Sequence, residues 1–403
     1  MSGMELSQRV RSIKPSATLA VTARSKAMKA QGIDVVGFGA GEPDFDTPGH
    51  IKQAAIDSLL AGNTKYQPAA GTPEARAAVA HYMNERYGYQ FDAENVIISA
   101  GGKHALYLAF QAILEPGDEV LLPAPYWVSY PEQARLAGGV VKEIAGEVGN
   151  DFKITPEQLA AAITDRSRVL VINSPSNPTG TMYSRDELAA LADVVAAHSR
   201  LVVFSDEIYE RLVYGDVAFA SFASLHEEVG QRTVTFNCLS KTYAMTGWRV
   251  GFTIAEPGLI KAMASMQGQM TSNITSFCLP AVEAALAGPQ DEVEKMRRAF
   301  AERGAHMHER LSAMAGVRCP RPTGAFYVFP DMSGAALGKR DPAGRELDSA
   351  AALAESLLEH AQVAVVPGED FGAPSHVRLS FATSMEQIDK GLDRLERYLK
   401  ALS

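Results

Sequence analysis

The stretch CLSKTYAMTGWRVGF, residues 238–252, contains two cations, Lys241 and Arg249, and no acid. The other side chains around these cations are mostly small or apolar. Removing an isolated charge from water is costly, so each cation must either reach solvent or lie beside an anionic or electrophilic group. The residues outside this stretch have to distinguish these two possibilities.

The sequence on both sides of this stretch alternates between short apolar runs and helical patterns from about residue 95. Runs rich in Val and Ile are typical of strands covered on both faces, and their alternation with helices indicates βαβ units and a mainly parallel sheet. The predicted strands are NVIIS (95–99), EVLLP (119–123), SRVLVIN (167–173), LVVFSD (201–206), TVTFN (233–237) and WRVGFTI (248–254), with helices over 104–115 and 184–198. The fold class is therefore predicted to be α/β.

The C-terminal part of the chain predicts a smaller α+β domain, completed by the N-terminal arm. We expect an arm and part of the small domain over 1–46, a large domain over 47–289 and the rest of the small domain over 290–403. The predicted elements of the last segment are helices at about 290–315, 347–360 and 384–401 and strands at 324–330, 363–367 and 376–382.

Composition excludes several classes of protein. The 403 residues carry a net charge of −9, which argues against a nucleic-acid surface, and no apolar run of membrane-spanning length occurs. The three cysteines are widely spaced and no zinc-ligand spacing is present, so we expect no metal site and no disulfides. The basic N-terminus lacks the apolar segment of a secretory signal, and we expect a cytoplasmic protein.

Polar residues follow the predicted strand ends, where open α/β sheets bind ligands. Asp206 ends one strand, and either caps the next helix or faces a ligand cation. Tyr209 lies one helical turn further on. Asn177 lies in the rigid turn SPSNPTG after another strand. Gly101 and its neighbour Gly102 precede a helix, whose N-terminus either binds a phosphate or has no ligand.

One cofactor, pyridoxal 5′-phosphate, accounts for all of these residues together. Lys241 would be the amine that forms a Schiff base with its aldehyde, and Asp206 would keep the pyridine nitrogen protonated. Tyr209 and Asn177 would bind the ring oxygen. The residues predicted to hold the phosphate are Gly101, Gly102, Ser240 and Arg249.

The chain resembles the class I aminotransferases of pyridoxal-phosphate fold type I, and among them the bacterial aspartate and aspartate/prephenate aminotransferases. The resemblance implies a large domain with a seven-stranded sheet. The sequence departs from the family at Cys238, where Gly or Ser is usual, and at Ser176, where Asn is common. The matching segments are AGEPDFDTP (40–48), KYQPAAG (65–71), PYWVSYP (125–131), SPSNPTG (174–180), SDEIYE (205–210), SKTYAMTGWRVGF (240–252) and HVRLSFA (376–382).

The resemblance implies roles for four further residues. Trp127 would stack on the cofactor ring, and Arg378 would bind the substrate α-carboxylate through its guanidinium fork. Gly41 would bring its backbone to the substrate. Tyr66 would reach the cofactor phosphate of the neighbouring subunit, since the sites of the family lie at the interface of a homodimer.

Two lysines are associated with substrate choice by the same resemblance. Lys103, in the GGK segment, would bind the distal carboxylate of a dicarboxylic substrate and lie near the cofactor phosphate; the alternative is a solvated lysine. Lys14, in KPSAT, would accompany the use of prephenate, or is a surface lysine.

The expected reaction is ping-pong transfer of the amino group of aspartate to 2-oxoglutarate, with Lys241 as general base and prephenate as a further substrate. The alternatives are an aminotransferase for aromatic amino acids or alanine, and a β-eliminating lyase of the same fold. A transcriptional sensor built on this fold is disfavoured by the acidic net charge.

Overall fold

The computed structural model describes residues 4–11, 13 and 17–403. Its strands are β1 (Val36–Gly37), β2 (Val96–Ser99), β3 (Glu119–Ala124), β4 (Val140–Ala145), β5 (Ser167–Asn173), β6 (Val202–Asp206), β7 (Thr233–Cys238), β8 (Gly251–Ile254), β9 (Tyr327–Val328), β10 (Val363–Ala364), β11 (Val366–Pro367) and β12 (Val377–Ser380). Its α-helices are α1 (Gln8–Arg11), α2 (Ala17–Ala30), α3 (Gly49–Leu60), α4 (Pro73–Tyr87), α5 (Gly102–Ile113), α6 (Ser129–Leu136), α7 (Pro156–Ala162), α8 (Arg185–Ala196), α9 (Glu227–Gln231), α10 (Leu239–Thr242), α11 (Pro257–Met270), α12 (Leu279–Ala287), α13 (Asp291–Ser312), α14 (Ala350–Ser356) and α15 (Met385–Lys400).

Seven strands form the main sheet, in the order β2-β8-β7-β6-β5-β3-β4. All neighbours are parallel except β8, which is antiparallel to both β2 and β7. Strands β7 and β8 are buried along their whole length and β6 is buried beyond Val202, as their continuous apolar sequences predict. The predicted α/β class with a mainly parallel seven-stranded sheet is confirmed.

The sheet brings three strand ends together. Asn173, the last residue of β5, pairs in register with Asp206, the last residue of β6. Asp206 in turn pairs with Phe236 of β7, whose strand leads directly into α10 and Lys241. The segments that follow β5, β6 and β7 therefore start at the same edge of the sheet, where the sequence predicted a ligand site.

A second hydrophobic core lies in the C-terminal part of the chain and includes residues of the N-terminal segment. Val36 and Phe38 pack in the same cluster as Phe300, Phe381 and residues of α15. Strand β1 pairs in parallel with β10, while β11, β12 and β9 form a small antiparallel sheet. The division of the chain into domains at residues 46 and 289 stays a prediction.

Several predicted strands are wrong in extent: VAVVP (363–367) is divided into β10 and β11, and HVRLSFA (376–382) is a strand only over Val377–Ser380. Two others are interrupted by a positive φ. The run WRVGFTI was predicted as a strand over 248–254, but β8 starts at Gly251, because a 3₁₀ turn includes Trp248 and Arg249 has the left-handed φ of 55°. Similarly, GAFYVFP forms a strand only at Tyr327–Val328, since Ala325 has a φ of 56°. A positive φ interrupts the extended backbone of a strand.

The described residues include no membrane-spanning helix and no metal-binding group of side chains. Within residues 4–11, 13 and 17–403, no helix is both long and apolar enough to cross a bilayer. The same part of the chain contains no group of His, Cys, Asp and Glu side chains arranged to hold a metal ion.

Candidate active site

Two adjoining cavities form one cleft at the carboxyl ends of the central strands. The larger has a volume of about 470 Å³ and the smaller about 210 Å³. Both are lined by Gly41, Lys103, Trp127, Asp206, Ile208 and Lys241. We call the joined cavities the active-site cleft.

Lys241 has no carboxylate partner among the described residues. Its Nζ donates a hydrogen bond of 2.5 Å to the backbone carbonyl of Gly41 and lies 5.7 Å from the centre of the Phe326 ring. A backbone carbonyl does not neutralise an ammonium charge, so the amine is available to a carbonyl group bound in the cleft.

Arg249, the other cation of the opening stretch, lies next to the start of α5. Its guanidinium is exposed and donates to the carbonyls of Thr246 and Ala100, at 2.8 and 3.4 Å. Gly101 has a φ of 86°, and a Cβ there would lie 2.3 Å from Arg249 Nη2. Because α5 begins without a side-chain cap, its free N–H groups and Arg249 together form an anion-binding corner. Ser240 also lines this part of the cleft.

Asp206 is almost completely buried at the floor of the cleft. Its carboxylate accepts a hydrogen bond of 2.5 Å from the Tyr130 hydroxyl and a longer one from the backbone N–H of Ile208. Burial raises the pKa of Asp206 to about 6, while the Tyr130 hydrogen bond and the nearby Lys241 charge act in the opposite direction. This environment is suited to a carboxylate that pairs with a cationic ligand atom.

Arg378 is buried in the smaller cavity with an unused donor. Its Nη1 donates to Asn177 Oδ1 at 2.9 Å and its Nη2 to the Gly39 carbonyl at 3.0 Å. Its Nε is buried and has no hydrogen-bond partner among the described residues. Burial lowers the pKa of Arg378, because the charged form is deprived of water. A ligand carboxylate would supply the missing counter-charge.

The other residues that were predicted to bind the cofactor ring oxygen or the substrate also line the cleft. The Tyr209 hydroxyl lies 3.1 Å from the Tyr327 hydroxyl, and Tyr327 is stacked against the Arg378 guanidinium, 4.5 Å from its carbon. Lys103 Nζ lies 4.9 Å from the centre of the Trp127 ring. Burial lowers the pKa of Lys103, and the neighbouring Arg249 and Lys241 charges lower it further.

Two predicted residues stand apart from this arrangement. Tyr66 is 88% exposed and does not line the cleft of its own chain. Lys14 lies outside the described residues, so its role stays a prediction.

Four further residues that contact the predicted ones were not singled out by the sequence analysis. The Tyr130 hydroxyl donates a hydrogen bond to Asp206, and the Tyr327 hydroxyl forms one with the Tyr209 hydroxyl. The Gly39 carbonyl accepts a hydrogen bond from Arg378, and the Asn173 side chain donates one to the Asp206 carbonyl. Tyr130 lies in the quoted segment PYWVSYP, one helical turn after Trp127, so its spacing was the available signal.

Comparison with known proteins identifies the family. A model of aminotransferases of class I and II matches residues 33–395. The chain belongs to this family. This aminotransferase is 48% identical to the aspartate aminotransferase of Geobacillus stearothermophilus, over 99% of this chain and 100% of the relative. It is 44% identical to the aspartate/prephenate aminotransferase of Cereibacter sphaeroides, over 99% of each chain.

Solved structures agree with this aminotransferase fold. The aspartate aminotransferase of Rhizobium meliloti superposes with a TM-score of 0.96 at 40% identity, over the full length of both chains. The Thermus thermophilus aspartate aminotransferase with maleate superposes with a TM-score of 0.90 at 44% identity, over 98% of this chain and 100% of the other. The resemblance inferred from the sequence motifs is confirmed at the level of family and fold.

Proposed function

We propose that this aminotransferase transfers the amino group of aspartate to 2-oxoglutarate, with pyridoxal 5′-phosphate as its cofactor. One observation carries the proposal: an unpaired amine, a buried carboxylate and a guanidinium with an unused donor meet in one cleft, at Lys241, Asp206 and Arg378. The names of the relatives from Geobacillus and Cereibacter support aspartate as the amino donor.

The chemistry of the cleft fits this cofactor. The cofactor has an aldehyde that needs an amine, and the cleft contains Lys241. Its ring nitrogen needs a carboxylate, which Asp206 would supply. Its phosphate needs a cationic site, which the corner at Arg249 would supply. Ser240 and the backbone of Gly101 and Gly102 would complete the phosphate site. Pyridoxal 5′-phosphate, when bound, supplies an electron sink for the bond electrons released at the substrate α-carbon.

The side chains of this protein then have four tasks. Arg378 and Asn177 bind the α-carboxylate and fix the orientation of the substrate. Asp206, ionised, would pair with the ring nitrogen, and Tyr209 and Asn177, which line the same cavity, would bind the ring oxygen. Lys241 removes the α-proton of the amino acid as general base and holds it for return on the same face. Trp127, which lines both cavities, would stack on the cofactor ring and shield it from water.

Replacing Tyr130 with phenylalanine is expected to move the pH dependence of cofactor binding upward. The Tyr130 hydroxyl stabilises the ionised carboxylate, so its removal raises the pKa of Asp206 above about 6. Cofactor binding needs that negative charge. When the pH is lowered, the variant would therefore lose affinity for the cofactor at a higher pH than the unmodified protein does. Fluorescence titration of the cofactor-free protein between pH 5 and 8 measures the shift, within the range where a carboxyl group of about this pKa changes charge.

A matched control is Tyr398→Phe, since Tyr398 is also buried but bonds to Ser356, away from the cleft. Its titration curve is expected to follow the unmodified protein. An unchanged midpoint in Tyr130→Phe would show that this hydroxyl does not control the ionisation of Asp206.

Substrate choice is assigned to Lys103. Lys103 lines both cavities, its amine lies 4.9 Å from the centre of the Trp127 ring, and Arg378 lines the smaller of the two cavities. The lysine would therefore serve the far end of a dicarboxylic substrate whose α-carboxylate is bound by Arg378. We expect Lys103→Ala to raise KM for aspartate by about tenfold or more, because a hydrogen bond to a charged group contributes about 1.5–3 kcal/mol. KM for phenylalanine, which has no second carboxylate, is expected to change little.

Steady-state kinetics with both donors at saturating 2-oxoglutarate make this comparison. Lys103→Arg is the control, because it keeps a cation at the position and should retain most of the preference for aspartate. Equal losses for both donors would remove Lys103 as the reader of the distal carboxylate.

A panel of amino donors tests the function as a whole. With 2-oxoglutarate as acceptor, aspartate is expected to be the best donor, followed by weaker activity with aromatic amino acids and alanine. Prephenate, tested as an oxo-acid acceptor, is the further substrate suggested by relatives such as the one from Cereibacter. Product formation without consumption of any oxo acid would instead favour the β-eliminating alternative.

We also propose that two chains form a dimer with shared sites. Helix α3 exposes Ile56, Leu59 and Leu60, and Tyr66 follows it with its ring in solvent. Trp248, adjacent to the Arg249 corner, lines a shallow cavity next to the first two of these residues. A second copy on this surface would bury the apolar side chains and bring its Tyr66 toward the phosphate corner.

Mixing two impaired variants tests this arrangement. Lys241→Ala chains and Tyr66→Ala chains are each expected to be impaired, whereas their mixed dimers contain one site with both intact residues. Unfolding and refolding the mixture should therefore restore activity above that of either variant alone. Sedimentation as a monomer at assay concentration would contradict the shared site.

A further inference from the structure

The larger cavity of the cleft is strongly cationic, although the chain as a whole has a net charge of −9. Its acidic lining residues are Glu42, which accepts a hydrogen bond from Thr246, and Asp206 at the floor. Its cationic lining residues are Lys26, Lys29, Lys103, Lys241 and Arg249. Lys103, Lys241 and Arg249 have roles in the proposed function, whereas Lys26 and Lys29 have none.

These two lysines belong to one face of α2. The α2 residues that line the cavity include Thr22, Ser25, Lys26 and Lys29, which recur at intervals of three, one and three residues. Residues three and four positions apart share a helix face, so the lysines project from the face that forms a wall of the cavity.

The opposite side of α2 forms ion pairs with the C-terminal part of the chain. Arg24 donates to Glu355 at 3.2 Å and to Glu359 at 2.7 Å. Lys26 and Lys29, by contrast, are exposed and have no ion pair among the described residues. The helix therefore presents two uncompensated charges at the solvent side of the cleft.

We propose that Lys26 and Lys29 form a cationic mouth that concentrates dicarboxylate substrates at the active-site cleft before they bind. This inference rests on the proposed function, because it concerns the same cleft and the same substrate class. Clefts lined by one sign of charge focus the electric field and raise the local concentration of oppositely charged ligands. The two lysines act on the net charge of a substrate and do not contact its bound carboxylates.

Net charge separates this effect from that of Lys103. A local potential changes the apparent affinity of a dianion twice as much, on a logarithmic scale, as that of a monoanion, and leaves a neutral zwitterion unchanged. At neutral pH 2-oxoglutarate is a dianion, aspartate a monoanion and alanine neutral overall. Salt screens such an effect, since the Debye length falls from about 30 Å at 0.01 M to about 3 Å at 1 M.

The experiment is the double charge reversal Lys26→Glu/Lys29→Glu. At about 0.01 M ionic strength we expect KM to rise about tenfold for 2-oxoglutarate and about threefold for aspartate, with alanine and kcat unchanged. At about 1 M salt the differences should shrink below about twofold. Quenching of tryptophan fluorescence by succinate, a dianion that is not turned over, gives the same comparison without activity.

The matched control is Lys261→Glu/Lys339→Glu, which changes the net charge equally at lysines outside the cleft. Its kinetics should equal those of the unmodified enzyme. If charge reversal prevents folding, Lys26→Gln/Lys29→Gln replaces it. This variant changes half as much charge, so the change in log KM should be about half as large.

Equal changes in KM for 2-oxoglutarate and alanine, or the same change in the control, would overturn the proposal. A protein with no aspartate activity that still binds succinate less tightly in the double variant would contradict the proposed function and leave the cationic mouth supported.

Discussion

Replacing Lys241 with alanine is expected to lower the rate of transamination by about 10⁴-fold, the upper end of the contribution of a positioned acid–base group. Among the residues that the structure describes, no second amine occupies this position: Lys103 Nζ lies over Trp127, whereas Lys241 Nζ donates to the carbonyl of Gly41. The variant would lose both the attachment point of the cofactor and the base at the α-carbon. Steady-state turnover with aspartate and 2-oxoglutarate measures the loss.

The fold should survive this change. Lys241 makes one side-chain hydrogen bond, to a backbone carbonyl, and no ion pair among the described residues, so little packing is lost. Circular dichroism and the thermal midpoint should match those of the unmodified protein. Retention of most of the turnover would show that another residue does the chemistry.

The second large effect is expected at Asp206. Asp206→Ala removes the negative charge that would pair with the ring nitrogen, and without this charge the bound cofactor would be a weaker electron sink for proton removal. We expect a rate reduction of about 10³-fold or more, which corresponds to about 4 kcal/mol of transition-state stabilisation. Cofactor affinity should weaken less than kcat.

Asp206→Asn separates charge from shape, because the amide keeps the size of the side chain and its contact with Tyr130 but cannot ionise. Its rate should be as low as that of Asp206→Ala. A fully active Asp206→Asn variant would contradict the electrostatic role of this residue.

Much of the fold followed from the sequence because buried parallel strands are continuous apolar runs. The ends of SRVLVIN at Asn173 and of LVVFSD at Asp206 were predicted to the residue. Strand β4, VVKEIA, was not predicted, since only Ile144 of its six residues is buried and its sequence contains the charged residues Lys142 and Glu143. The other edge strand, β2, was predicted, because it is buried along its whole length and has the continuous apolar sequence of a covered strand.

The candidate site was predictable where chemistry depends on residue type, and less so where it depends on backbone conformation. Lys241, Asp206 and Arg378 line the cleft as the motifs implied. Arg249 reaches the start of α5 from a left-handed residue, where an unbroken strand was expected. Nothing in the apolar pattern indicated this break, because it depends on the close packing of Gly251 against Gly101 and Gly102.

The tyrosine partners were missed for a different reason. Tyr130 donates to Asp206 and Tyr327 lies beside Tyr209, but each pair joins residues more than 70 positions apart in sequence. A tyrosine within an apolar segment is equally compatible with simple core packing. Only the folded arrangement shows which hydroxyl faces a functional side chain.

The most direct test of the central claim is to locate the residue that carries the cofactor. The purified protein would be loaded with pyridoxal 5′-phosphate, reduced with borohydride and digested, and its peptides sequenced by mass spectrometry. The account predicts a single pyridoxyl group on Lys241, and none in the Lys241→Ala variant. A pyridoxyl group on Lys103, Lys26 or any other lysine of the unmodified protein, with Lys241 unmodified, would contradict it.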